Sequence, residues 1–253
     1  MTQVLDLKTS PFLEAIAAGT IYNMNFDWSS AEQNAILSEL QNGNYKLFGY
    51  KGATGPEQVT AGLPTWFAVD YTTMFGITNI NYIPKYKVYF YNEANIGTDT
   101  TITMQALSAE VSLGTIVEFD QTGRFTTKPG APAGTITVVN KQSSTSNTLT
   151  TGLAAYVNGA YAPFCAFTSR PQNSVNMAPN EKVCIFAGQT GLVSGSVNAS
   201  STAPGCTFEF NSSNIKYDLK MIANTLGITN TATSPSSVTE TASDTNLGQL
   251  LNS

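Results

Sequence analysis

Residues 46–91 read KLFGYKGATGPEQVTAGLPTWFAVDYTTMFGITNINYIPKYKVYFY, and this stretch decides the fold class. It concentrates the bulky aromatics of the first half of the chain and punctuates them with Gly and Pro. That pattern predicts strand, loop, strand, loop, strand. Residues 45–50 form the first expected strand and Gly52-Ala53-Thr54-Gly55-Pro56 a turn. Residues 63–71 form the second, with Pro64 near its start and Trp66 near its centre. Asn81-Tyr82-Ile83-Pro84 leads into a third strand at 85–91. There Tyr86, Val88 and Phe90 share one face, and Lys87, Tyr89 and Tyr91 share the other. The Gly-rich segment at 49–56 contains Lys51, but a phosphate loop needs its lysine directly after the last glycine and a helix to follow. Here Lys51 precedes Gly52 and strand residues follow, so a turn is the expectation.

Period-two patterning continues outward from this stretch. Residues 100–107 place Ile102, Met104 and Ala106 on one face and Thr101, Thr103 and Gln105 on the other. Residues 115–119 and 124–127 flank Asp120-Gln121-Thr122-Gly123, a hairpin loop by composition. Further strands are expected at 133–140, 161–168, 181–187, 195–199, 206–210 and 217–222, with a polar loop at 141–152. A second hairpin is expected to end at Asn211-Ser212-Ser213-Asn214. The expected architecture is mainly β: an antiparallel β-sandwich of jelly-roll-like type, with a short helical N-terminal arm and an extended C-terminal tail. The chain divides into an arm at 1–42, a β-sandwich core at 43–222 and a tail at 223–253.

The arm begins with Ser10-Pro11, a helix start, and its first helix runs through Phe12, Leu13 and Ile16 to Gly19. Residues 21–28 alternate apolar and polar, as a strand or an extended arm does. A second helix opens at Ser29 or Ser30, where Ser29 and Glu32 have capping-box spacing. It carries Ile36, Leu37 and Leu40 and stops at Gly43. Residues 229–253 are Ser/Thr-rich and free of aromatics, the composition of a disordered tail, ending in an apolar hook of Leu247, Leu250 and Leu251.

Composition narrows the function. Only 11% of the 253 residues are charged, against roughly 25% in an average soluble protein. Chains that pack against copies of themselves favour neutral polar groups, because a buried hydroxyl with a partner costs less than a buried charge. The net charge of −5, with few and scattered Lys and Arg, argues against nucleic acid as a partner. The absence of histidine excludes Ser-His-Asp and Cys-His catalysis and His-ligated metal sites. Cys165, Cys184 and Cys206 lie in apolar settings and read as buried thiols, one disulfide with a thiol left over being the alternative. Asn198-Ala199-Ser200 and Asn211-Ser212-Ser213 match the glycosylation sequon by chance. MTQVLDLKTS lacks the features of a secretory signal, so cytoplasmic synthesis is expected, with release by lysis or a dedicated machine as the alternative.

Acidic residues such as Glu93, Glu110, Glu118 and Glu209 could serve glycoside hydrolysis, but no spacing marks a pair. Asp99 and Asp120 lack the oxygen density of a calcium loop. No catalytic residue, cofactor or metal site is expected. Trp28, Trp66, Tyr82, Tyr86, Tyr89 and Tyr91, with the hook of Leu247, Leu250 and Leu251, form the candidate interface or ligand surface. The leading expectation is a non-enzymatic structural protein that forms a homo-oligomer (filament, tube, shell or crystal), its termini exchanged between copies. The alternative is a pore-forming or membrane- or glycan-binding toxin or lectin, with lipid or glycan as partner. A helix-bearing arm ahead of a β domain with an aromatic cluster resembles the layout of actinoporin-like pore formers. That resemblance implies insertion by the N-terminal segment and headgroup binding by aromatics, and it carries over no individual residue.

Overall fold

The computed structural model describes residues 19–98 and 100–252; the helix expected at 10–19 lies, but for Gly19, outside them, as does Asp99. The fold is mainly β, with several sheets and few helices. Its organising members are two 15-residue strands, β5 (Ile77–Tyr91) and β13 (Ser174–Gly188), one in each large sheet.

The first sheet runs β11 (Ala160–Pro163), β10 (Leu149–Val157), β5, β1 (Tyr22–Asp27), β16 (Lys216–Met221), β17 (Ile228–Asn230). β12 (Phe167–Ser169) joins β10, and β6 (Ala106–Leu107) joins β5. The second runs β18 (Thr239–Thr241), β15 (Gly205–Glu209), β13, β9 (Ile136–Asn140), β7 (Thr115–Phe119), β8 (Phe125–Pro129). In it β2 (Lys46–Thr54) also pairs with β13, and β4 (Phe67–Asp70) with β2. β3 (Leu63–Pro64) and β14 (Val197–Asn198) form a small separate pair. Pairing is antiparallel except for β1 with β16 and β7 with β9, which are parallel. Residues of both large sheets share one core, including Tyr82 and Leu219 of the first and Val183 and Ile185 of the second.

Residues 21–28 are not a detachable arm. β1 lies inside the first sheet, between β5 and β16, with Tyr22, Met24 and Phe26 pointing into the core. Helix α1 (Ala31–Asn42) follows. Its cap is Ser30, whose Oγ accepts from the Gln33 amide at 3.1 Å, and Glu32 closes no box. The Gln33 side chain instead bonds both N–H and C=O of Met221, each at 2.9 Å, so the helix is fastened to the end of β16. Ile36, Leu37 and Leu40 are buried as the stripe predicts.

The tail is likewise folded onto its own chain. β17 and β18 extend the two sheets, and the short helix α2 (Leu247–Leu251) packs on the outer face of the second. Leu247 and Leu251 complete a second core with Phe48, Tyr50, Leu63, Cys184 and Phe186, while Leu250 is half-buried against it. A disordered tail is therefore corrected: its leucines cover apolar residues of β2 and β13 that would otherwise face water.

Several boundaries also differ from expectation. β2 continues through the glycines to Thr54, because Gly52 is where α2 crosses: a Cβ there would lie 2.2 Å from the Leu251 carbonyl oxygen. The stretch expected as one strand at 63–71 divides into β3 and β4. Residues 100–105 form a strap over the first sheet rather than a strand, touching Ser196 by a single bridge at Thr101. β10 carried no strand signal, being rich in Thr, Gly and Ala; a Cβ on Gly152 would meet the Cys165 carbonyl oxygen at 2.0 Å and Tyr89 Oη at 2.6 Å. The turn at Asn211–Asn214 joins β15 to β16 in different sheets, so it is a crossover and not a hairpin. The loop at Asp120 is a hairpin, between β7 and β8.

Leu251→Ala is expected to lower stability by about 2–5 kcal/mol, the range for truncating a core leucine. Urea unfolding measures this. A change within about 0.5 kcal/mol, the range of surface positions, would mean that α2 merely rests on the sheet.

Candidate functional site

β5 and β13 each break register once, beside a proline. In the pairing of β5 with β10, Tyr86 faces Ala155 and Ile83 faces Tyr156, leaving Pro84 and Lys85 as a bulge. In the pairing of β13 with β2, Pro179 faces Ala53 and Val183 faces Lys51, so residues 180–182 oppose Gly52 alone. A bulge re-aims the side chains beside it. These two bring Tyr82 and Tyr86 of β5 and Glu181 of β13 to one point between the sheets, where Lys51 of β2 also arrives.

The result is a buried polar nest. Lys51 Nζ lies 2.9 Å from Glu181 Oε1, and both side chains are buried. Tyr86 Oη donates to the same oxygen at 2.8 Å and Tyr82 Oη at 3.1 Å, with the two hydroxyls 2.9 Å apart. Lys51 Nζ also donates to the carbonyl of Asn180. The ammonium stands 5.1 Å from the Tyr82 ring centroid and 5.5 Å from that of Phe164, close enough for a cation–π attraction. Glu181 Oε2 and the hydroxyl of Tyr22, both buried, have no hydrogen-bond partner. Burial pushes the Lys51 ammonium below the usual lysine range, and the nearby Glu181 carboxylate works against that shift. Burial, then the Glu181 charge, holds the Tyr82 and Tyr86 hydroxyls well above the usual phenol value.

The aromatic surface expected from sequence is interior. Trp28, Trp66, Tyr82 and Tyr86 belong to the main core. Trp28 Nε1 donates to Thr78 at 3.2 Å, and Trp66 stands edge-on to Tyr82 with ring centroids 4.9 Å apart. Tyr89 and Tyr91 belong to a third cluster on the outer face of β5, with Ile102, Ala154, Ala166 and Val197, where the strap at 100–105 covers them. Tyr89 Oη donates to the Cys165 carbonyl at 2.7 Å. With Leu247 and Leu251 buried and Leu250 half-buried, the nine do not compose a surface for a partner. Tyr82 and Tyr86 point into the core and Tyr89 and Tyr91 lie on the outer face under the strap, because β5 is covered on both faces, which period-two patterning does not anticipate. Lys51 and Glu181 were not singled out as a pair; the only available signal was a charge amid apolar strand residues in each of two β segments.

The candidate acids are not brought together. Glu110 is engaged with Tyr161 at 2.5 Å and Lys85 at 3.5 Å, and Glu118 with Lys128 at 2.6 Å and Lys141 at 3.8 Å. Glu93 and Glu209 are exposed on other elements. Asp120 Oδ1 accepts from Thr122 N, Thr122 Oγ1 and Arg124 N, all within its own turn. The three cysteines are free and buried. Among the described residues no group of three or more His, Cys, Asp or Glu could hold a metal ion, and no helix is long and apolar enough to cross a membrane. Compared with protein-family models, curated proteins and solved structures, the chain finds no match.

The tyrosines set the alkaline limit. Burial pushes Tyr22 and Tyr50 up to about 12 from an ordinary value of 10.0, and raises Tyr71, Tyr82, Tyr86 and Tyr89 as well. Above the ordinary phenol value the unfolded chain releases these protons while the folded chain keeps them, so stability falls as pH rises. Stability is expected to drop from about pH 10, by up to about 1.4 kcal/mol per pH unit for each such tyrosine. Phenolate absorbance should rise together with loss of β signal. Smooth ionisation of every tyrosine in a chain that stays folded would contradict this.

Proposed function

We propose that the protein is a non-enzymatic structural subunit that assembles head to tail with copies of itself. One observation carries the reading: of the six large apolar side chains exposed among the described residues, four sit in pairs at opposite ends of β1. At its start, Ile21 is 49% exposed and Ile215 43%. Ile215 is adjacent because β16 runs parallel to β1, its carbonyl accepting from Asn23 N at 3.0 Å. At the other end, Phe75 is 69% exposed and Ile77 65%. Ile77 pairs with Asp27, the last residue of β1, and the Gly76 carbonyl accepts from Trp28 N at 2.8 Å. A six-residue strand separates the pairs by roughly 20 Å. A contact that joins one pair to the other is heterologous and leaves both outer ends free, so it propagates as a filament unless the rotation closes it.

Other features support this. Scarce charge leaves a neutral polar surround for such a contact. Simple edge-to-edge pairing is less favoured, since the edge strand β8 carries Lys128 and Pro129, residues that block addition of a strand. Exchange of the described ends is also not needed, as residues 19–42 and 223–252 are docked on their own chain. The architecture fits a β-sandwich whose layers are the two large sheets. The jelly-roll-like term extends to their mainly antiparallel pairing, and the two parallel pairs depart from it. For the membrane- or glycan-binding alternative, Phe75 is the exposed aromatic among the described residues, while Trp66, Tyr82 and Tyr86 lie in the core. The groove beside α2, lined by Gln58, Leu63, Asn246, Gln249 and Asn252 among others, offers no aromatic for a sugar to stack on.

The test uses two double variants, Ile21→Ser/Ile215→Ser and Phe75→Ser/Ile77→Ser, with mass followed by light scattering and sedimentation. The native chain is expected to grow with concentration and neither variant to do so. An equal mixture of the two should stop at a dimer, since one good end of each remains. A native chain that stays monomeric at every concentration overturns the reading. Binding of the monomer to neutral lipid vesicles, lost in the Phe75 variant, would favour the alternative.

A further inference from the structure

We propose that Lys51 and Glu181 condense into an amide, a covalent cross-link between β2 and β13 made by the chain's own core. The arrangement holds each part the reaction requires. The nucleophile is a buried amine whose Nζ lies 2.9 Å from Glu181 Oε1. Its Nζ faces Tyr82 and Phe164 in the core, where burial pulls the ammonium below the usual lysine range against the opposing pull of Glu181. Attack requires the ammonium to give up one proton first, and its poor solvation in the core lowers the cost of that loss.

The carboxyl group is held asymmetrically. Oε1 receives both tyrosine hydroxyls, at 2.8 and 3.1 Å, and Oε2 receives nothing. Two donors fixed on one oxygen polarise the carbonyl and stabilise the negative charge that forms there when nitrogen adds to carbon, the role of an oxyanion hole. The unheld Oε2 is the leaving oxygen. The step balances: Nζ–Cδ forms and Cδ–Oε2 breaks. Of the three protons on the ammonium, one stays on the amide nitrogen and two depart with Oε2 as water. No oxidant, metal or co-reactant enters. Held neighbours react as if at very high concentration, effective molarities reaching about 10⁵–10⁸ M in well-oriented pairs. Departure of water from an apolar core, with removal of two buried charges, drives the equilibrium toward amide.

The bulge at 180–182 gives the site its geometry. It places Glu181 two residues before Val183, the residue that faces Lys51, and on the same inward side of β13. The inference does not depend on assembly, since every group belongs to one chain.

The purified native chain, folded and stored at neutral pH, is unfolded and weighed intact by mass spectrometry, then digested. It is expected to be lighter than its sequence by one water, with a branched peptide joining the segment around Lys51 to that around Glu181. Lys51→Arg should weigh its full sequence mass. The mass is read on the unfolded chain, so a loss of stability in the variant does not blur it. A native chain at full sequence mass overturns the proposal. So does a water loss that maps elsewhere, such as a succinimide at an aspartate, or one that persists in Lys51→Arg.

Discussion

A lysine and a glutamate in the middle of an aromatic core constrain everything around them. Isolated burial of either charge would cost several kcal/mol, so each must reach the other, and the spare hydrogen-bonding capacity must be met by groups that are themselves buried. Tyr82 and Tyr86 meet it on one oxygen. That demand fixes register. A one-residue slip of β2 would turn Lys51 to the outer face, under α2, and leave Glu181 alone inside. A slip of β5 would withdraw both hydroxyls. The pair therefore specifies how three strands from two sheets align, a service that apolar residues of the same volume would perform less selectively.

The second constraint is coverage. β5 and β2 carry apolar side chains on both faces, so each sheet requires a layer outside it as well as the core between. The first sheet is covered by the strap at 100–105 and the second by α2. Both covering pieces are short, irregular or composed of unremarkable polar sequence, and both are pinned at few points. Gly52 and Gly152 mark where neighbouring backbone or tyrosine comes too close for a side chain. The molecule thus has three apolar clusters, and its last residues are as much part of the fold as its first strand.

The sequence reveals the β class because alternation survives in β1, β7 and β9. Helix α1 was legible from its cap and stripe. What was not legible follows from two physical effects. Pro84 and Pro179 look like strand ends in a one-dimensional reading, yet a bulge tolerates proline within a strand, so the two longest strands were each truncated. Burial on both faces erases the polar face by which an interior strand is told from a surface one, so the tyrosines of β5 read as a surface when they are core. The tail misled for a third reason: a Ser/Thr-rich segment can be ordered by neighbours that need its few leucines, and those neighbours are distant in sequence. The Lys51–Glu181 pair spans more than half the chain, and nothing local to either residue signals the other.

Among the described residues, Lys51 and Glu181 are sealed inside the core, while Glu110, Glu118 and Asp120 are engaged in local contacts. The exposed apolar pairs lie on the axis of β1, and that direction matters mechanically. A load applied along a strand is carried by all of its lateral hydrogen bonds at once, because ladder bonds run perpendicular to the strand. β1 is flanked on both sides, by β5 and by β16, and β5 continues past it for nine more residues into β10. Tension entering at Phe75–Ile77 and leaving at Ile21–Ile215 would therefore be shared across the first sheet rather than peeling one hairpin. The nest at the β5 bulge then ties that sheet to β13 and β2 in the second, through Tyr82, Tyr86, Glu181 and Lys51. The exposed apolar pairs thus sit at the two ends of β1, a strand bonded on both sides into the keyed interior.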